Sequence, residues 1–170
     1  MTIDGATVTV TLRDYLPTDE HLVDALGVHA FEQYQAAFDD WTAFRARIAH
    51  MSTQSASGEL IVAELAGRVV GAVAYFPPGA PKPDFFRPEW PIMRMLVVAG
   101  DARGHGIGHA LAEECLARAW RDGATQFALH TSELMQVALP MYLRMGFERH
   151  ADAPTLHGVK YAVYLKALSS

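Results

Sequence analysis

Arg103-Gly104-His105-Gly106-Ile107-Gly108 joins two contrasting patterns in this chain. Before it lies an apolar run, Ile92-Met93-Arg94-Met95-Leu96-Val97-Val98, with the character of a buried strand. After it, from about Gly106 to Asp122, apolar residues recur at helical spacing. A strand, a glycine-rich turn and a helix start, in that order, make an anion site. Glycine lets the backbone approach a ligand closely, and the first amides of a helix have no internal partner. Those free N–H groups, aligned with the helix dipole, favour a phosphate or pyrophosphate.

Two well-known phosphate loops fail against this spacing. A dinucleotide fingerprint needs Gly-x-Gly-x-x-Gly. From Gly104 and Gly106 its third position is His109, and from Gly106 and Gly108 it is Leu111. A P-loop ends in Gly-Lys-Ser/Thr, and the chain has no Gly-Lys dipeptide.

The pattern that fits is Arg/Gln-x-x-Gly-x-Gly/Ala, read here as Arg103, Gly106 and Gly108. It resembles the pyrophosphate loop of the GNAT superfamily of N-acetyltransferases, which bind acetyl-CoA. Downstream, Ala138-Leu139-Pro140-Met141-Tyr142-Leu143-Arg144-Met145-Gly146-Phe147 is similar to the family's A-x-x-L-Y-x-x-x-G-F segment, with Met141 at the Leu position. The resemblance is strong from Ile92 to Phe147 and consistent from Val8 to Phe76. One departure is Met135, where many members carry an Asn that contacts the pantetheine arm. Thr131 or Ser132 is the expected replacement.

The resemblance implies an α/β (α+β) chain with a mixed, mostly antiparallel central sheet flanked by helices, the acyl-CoA N-acyltransferase fold. It implies an acetyltransferase that moves an acetyl group from acetyl-CoA, as co-substrate, to a primary amine by direct attack. Leu96, Val97 and Val98 would lie along the pantetheine arm, with one of their amides meeting the acetyl carbonyl. The amides of Gly104, His105, Gly106, Ile107, Gly108 and His109 would hold the pyrophosphate, with Arg103 adding a phosphate contact. Tyr142 would protonate the departing thiolate.

Such chemistry also needs a group that removes a proton from the incoming ammonium. His130, near the end of a predicted strand at 126–131, has the right ordinary pKa. Glu64, Glu89 and Glu133 are the alternatives, and a satisfied, partly buried histidine is the plain reading of His130. Tyr142 can likewise be read as a core tyrosine. Pro140, two residues before it, is expected to threaten the helix by removing a bond to Gln136. His105 and His109 are four apart but lack a third ligand, so no metal is expected. Cys115 is the single cysteine and sits at helical spacing from Leu111 and Ala119, which reads as packing.

Around these motifs the periodicity gives a consistent order. A strand is expected over 8–13, then a helix from Pro17 with Leu22, Leu26 and Ala30 on its inner face. A second helix carries Trp41, Phe44, Ile48 and Met51, and strands follow at 59–65 and 68–76 around an Ala66-Gly67 turn. The proline-rich stretch 77–91 is irregular. A helix from Ser132 to about Arg144, a short strand at 147–150 and a last strand at 159–167 complete the chain.

Composition sets outer bounds. A length of 170 residues suggests one domain, 1–170, and 51% hydrophobic against 19% charged residues is a globular balance. The net charge of −5 argues against a nucleic-acid partner and mildly favours a cationic amine. No apolar stretch approaches the ~18 residues of a membrane span. The N-terminus lacks the pattern of a signal peptide, so a cytoplasmic location without membrane partners is expected. The acceptor is a small-molecule or peptide amine, with the helices before Ser52 and the 77–91 loop expected to form its pocket. Monomer and homodimer both remain open. A non-catalytic acyl-CoA-binding protein on the same fold, and an unrelated phosphate-binding α/β domain, are the rival readings.

Overall fold

The computed structural model describes residues 2–3, 6–7 and 9–168. β1 (Thr2–Ile3) and β2 (Ala6–Thr7) pair with each other, apart from the main sheet. Then follow β3 (Val10–Asp14), α1 (Glu20–Glu32), α2 (Trp41–Ile48), β4 (Glu59–Leu65) and β5 (Arg68–Phe76). The second half holds β6 (Ile92–Val98), α3 (Ile107–Arg121), β7 (Gln126–Thr131), α4 (Ala138–Arg144), β8 (Glu148–Leu156) and β9 (Val159–Ala167). Val8, expected in the first strand, lies outside the described residues.

The main sheet has seven strands in the order β3-β4-β5-β6-β7-β9-β8. Every neighbouring pair is antiparallel except β6 and β7, which the α3 crossover makes parallel. This is the mixed, mostly antiparallel sheet that was expected. Side chains alternate across a strand, so each central strand feeds two cores. On β4, Ile61, Ala63 and Leu65 face a cluster with Ile107, Leu111 and Cys115 of α3. Leu60 and Val62 face the opposite cluster, with Val23 of α1 and Met51.

Several expectations shift for physical reasons. In α1 the fully buried face is Val23, Gly27 and Val28; of the expected residues Leu26 and Ala30 pack partly buried beside it, while Leu22 is 53% exposed. A Cβ on Gly27 would lie 2.8 Å from the Ile48 carbonyl oxygen, so the helix is pressed against its neighbour along its smallest residue. A search for apolar bulk misses such a face. In α3 the buried stripe Ile107, Leu111, Cys115, Ala119 is as expected. Arg118, spaced for an i,i+4 pair with Glu114, makes that pair and more. Its side chain is only 13% exposed and binds Asp14, Glu59 and Glu114, tying α3 to the edge of the sheet.

The helix expected from Ser132 begins only at Ala138. Ser132 Oγ accepts the Leu134 N–H at 3.2 Å and the Ser132 carbonyl accepts the Met135 N–H, so a local turn competes with the helix. Pro140 therefore stands at the third position of α4, in the first turn, between Leu139 and Met141, whose N–H groups reach the carbonyls of Met135 and Val137. β8 runs to Leu156 rather than His150, because an exposed edge strand needs no apolar pattern to pair with β9.

Candidate active site

The turn after β6 has the shape its glycines suggested. Gly104 and Gly106 take φ of +80° and +78°, a conformation that side chains rarely adopt, and open space lies where a side chain would begin on either. Gly106 caps α3 without any side-chain hydrogen bond. The first helical bond at this end runs from the Ala110 N–H to the Gly106 carbonyl, which leaves the amides of Ile107, Gly108 and His109 without helical acceptors. Arg103, His105 and His109 are all exposed around this opening. His109 lies 3.5 Å from Glu113, one turn along the helix. Among the described residues, no cluster of three His, Cys, Asp or Glu side chains is placed to hold a metal.

β6 reaches the turn through a break in its pairing. It is matched to β7 at a single pair, Ile92 with Ala128. Past that pair the two strands part, and the β7-facing backbone of later β6 residues has no strand partner. On the other edge, the register with β5 slips between Ala72–Val97 and Ala74–Arg94, which places one extra residue in β6. Met95 absorbs the bulge at a φ of +56°, a strained value for a non-glycine. The result is a cleft of about 750 Å³ between β6, the start of α3 and the segment from Met135 to Met145. Leu96, Val97, Val98, Arg103, Gly104, Gly106, Ile107, Gly108 and His109 all line it. Only His105 of the expected donor-side residues stands outside the lining.

A second, smaller pocket of about 190 Å³ opens beside this cleft. Phe31, Leu96, Met135 and Ala138 line both. Tyr142 and His130 both belong to the smaller pocket, so the structure brings the two expected catalytic side chains together there. Tyr142 is buried, 6% exposed, and packs against Phe147. Burial, with a further push from Cys115, raises its phenol above the ordinary tyrosine value, which keeps it protonated.

His130 is set among the rings of Phe85, Phe86 and Tyr161, with centroids 5.3, 5.7 and 5.4 Å away. Its Nδ1 is buried with no hydrogen-bond partner among the described residues. Burial, then the charges of Arg94 and Arg47, push its pKa down to about 4. The expectation that it titrates near neutrality is thus not met: burial beside two cations disfavours the imidazolium. The alternative bases lie elsewhere. Glu64 is held by Arg13 at 2.5 Å, Glu89 sits in the 77–91 loop near Arg87, and Glu133 is exposed. None of them lines the pocket.

The helices before Ser52 do supply pocket walls, through Phe31, Phe44, Arg47 and Ile48. The 77–91 loop does not line it. Phe86 and Trp90 are buried in the sheet's core instead, with the Trp90 indole N–H donating to Gln126 at 3.0 Å.

A family model for the acetyltransferase (GNAT) family matches residues 18–147. The chain belongs to that family. This GNAT chain is also 39% identical over 95 residues to N-acetyltransferase 8F1 of Rattus norvegicus, a match covering 56% of the chain and 42% of that relative's length. Its fold is similar to a GCN5-related N-acetyltransferase of Rhodopseudomonas palustris, with a TM-score of 0.74 at 21% identity, covering 94% of this chain and 96% of the other. It is similar as well to yncA of Salmonella typhimurium, whose structure holds its cofactor acetyl-CoA, with a TM-score of 0.70 at 18% identity and 95% of each chain covered.

Sequence reasoning overlooked two residues of the smaller pocket. Arg94 and Arg47 both line the smaller pocket. Arg94 was visible as a lone cation inside the apolar run 92–98, an unusual place for a charge. Arg47 carried no such signal, since it is an exposed residue on a short amphipathic helix.

Proposed function

We propose that this GNAT protein transfers the acetyl group of acetyl-CoA to a primary amine by direct attack. The observation that carries this reading is the uncapped start of α3, opening with its αL glycines onto a cleft that runs along the parted edge of β6. Three amides without acceptors and an open glycine backbone fit a pyrophosphate. The unpaired β6 edge fits an amide-bearing pantetheine arm, which hydrogen-bonds like an added strand. Acetyl-CoA supplies an activated acetyl thioester.

In this assignment the amides of Gly104 to His109 and the Arg103 guanidinium hold phosphate oxygens. Leu96 to Val98 orient the arm and present a backbone N–H where charge develops on the acetyl oxygen. Tyr142 Oη gives a proton to the leaving sulfur, a role its burial supports by keeping the phenol neutral. His130 offers a neutral imidazole nitrogen but does not store a proton there at neutral pH. Loss of the ammonium proton is therefore assigned to the field of Arg94 and Arg47, which destabilises any cation in the pocket, and to solvent.

A non-catalytic acyl-CoA-binding protein is the second reading. It is favoured by the lack of an Asp or Glu among the residues lining the smaller pocket. Release of free thiol from acetyl-CoA, followed with a thiol-reactive chromophore across a panel of primary amines, separates the two. Amine-dependent release supports transfer. Binding of acetyl-CoA with no release above background for any amine supports the second reading.

A further inference from the structure

The smaller pocket is positively charged in a protein whose net charge is −5. Its lining includes Arg94, Arg47 and His130 and contains no Asp or Glu. Arg94 is the unusual member. It stands on the central strand β6, just before the Met95 bulge, and is mostly removed from solvent. Among the described residues no carboxylate pairs with it, and the charge that acts on it is another cation, Arg47. A largely buried guanidinium without a counter-ion is destabilising for the fold. Every other arginine buried to a similar extent here is satisfied: Arg13 by Asp19 and Glu64, Arg118 by three carboxylates. The missing partner of Arg94 is thus a property of the pocket, not of how this protein treats arginine.

A planar guanidinium with free donors matches a carboxylate, which it can bind through two parallel hydrogen bonds. A simple cationic amine, such as a polyamine, meets only repulsion there. Most of the remaining wall is apolar, from Phe31, Phe44, Ile48, Met93, Leu129 and Leu156, with Gln54, Thr131 and Tyr161 as polar members beside Tyr142. At about 190 Å³ the space is small. The unpartnered Nδ1 of His130 can accept from, or as the other tautomer donate to, a polar group brought in with the ligand.

Resting on the acetyl-transfer reading above, we infer that the acceptor is a free α-amino acid with an apolar side chain, its carboxylate held by Arg94 and Arg47 and its amine turned toward Tyr142. The carboxylate anchors the zwitterion while the cationic field eases the loss of the ammonium proton. The transfer then forms an N–C bond to the acetyl carbon and breaks the C–S bond. The electron pair of that bond goes to sulfur, which takes the Tyr142 proton. Tyr142 is re-protonated from solvent, and one proton from the ammonium is released overall.

The test uses L-leucine, L-methionine and L-phenylalanine beside their amides and their decarboxylated amines, with the wild-type protein and the variants Arg94→Gln and Arg47→Gln. Thiol release gives kcat/KM, and calorimetry on the CoA-loaded protein gives amino-acid binding separately. At least one free amino acid is expected to exceed its amide by about ten- to a hundredfold, the range of a charge-assisted hydrogen bond. Arg94→Gln should remove that discrimination while leaving acetyl-CoA affinity unaltered, and should not lower the melting temperature. Arg47→Gln, at an exposed position, should reduce it in part and controls for misfolding. Equal use of acid and amide, turnover of decarboxylated amines alone, or no binding of any amino acid overturns the carboxylate assignment while leaving acetyl transfer intact. Carboxylate-selective binding without thiol release from any amine supports the pocket assignment and overturns the acetyl-transfer reading instead.

Discussion

At the scale of single residues, Tyr142 and His130 share a pocket, and burial moves their pKa values in opposite directions, up for the phenol and down for the imidazole. Both are kept neutral, Tyr142 by staying protonated and His130 by staying unprotonated. A neutral phenol is the form that can give a proton to sulfur. Tyr142→Phe is therefore expected to lower kcat by roughly ten- to a thousandfold, with little change in the affinity for acetyl-CoA. Steady-state kinetics with calorimetry on the same preparations checks both halves of that statement.

His130 makes a separate, thermodynamic prediction. Its folded pKa of about 4 lies below the ~6.5 of an unfolded histidine. Between those values the unfolded chain binds the extra proton, so stability rises with pH and is lost as the pH falls from 6.5 toward 4. The full effect is at most about 3 kcal/mol. In His130→Gln the acid-side fall in the urea midpoint across this window should become shallower. A fall of the same size in both proteins would contradict the placement of a buried, neutral imidazole beside two arginines.

At the scale of elements, α4 shows how a local rule can be right and still mislead. Proline in a helix interior breaks a bond and clashes with the preceding turn, but Pro140 occupies the first turn of α4, where it is best tolerated. Pro140→Ala should accordingly change stability by less than about 1 kcal/mol and leave kcat within about twofold. Denaturant melts and kinetics would show otherwise if the ring shaped the site. The glycine turn and the α3 stripe were legible because backbone conformation and helical period are written into local residue types. Arg94 was visible as a charge in an apolar strand, yet its lack of a partner was not, since that depends on what the rest of the fold brings near. The parting of β6 from β7 and the bulge at Met95 were likewise invisible to periodicity. They are decided by pairing between strands separated in sequence by α3. The edge strand β8 was only half visible, because solvent-facing residues place little constraint on it.

At the scale of the whole molecule, the sheet separates two cores, and α3 packs into one of them and opens at its start onto the cleft beside β6. Its far end is fixed by Arg118, whose three carboxylate partners come from β3, β4 and α3 itself. Removing that guanidinium leaves negative groups facing one another. Arg118→Ala should lower stability by about 2 kcal/mol, between the values for exposed and fully buried ion pairs, as read from urea unfolding. The near end of α3 carries the claim on which the functional reading depends. Gly108 has ordinary helical geometry, and a Cβ there would make only normal contacts, 3.7 Å from Val98 and 3.9 Å from Met141. A tryptophan at this position can fold and still fill the cleft, which a substitution at the αL residue Gly106 could not test cleanly. Titration calorimetry of acetyl-CoA into the wild-type protein and Gly108→Trp is the most direct measurement. Saturable binding to the first and its loss in a variant with an unchanged melting transition is the expected result. Absence of binding to the wild-type protein, or equal affinity in the two, would contradict the assignment of this cleft to acetyl-CoA.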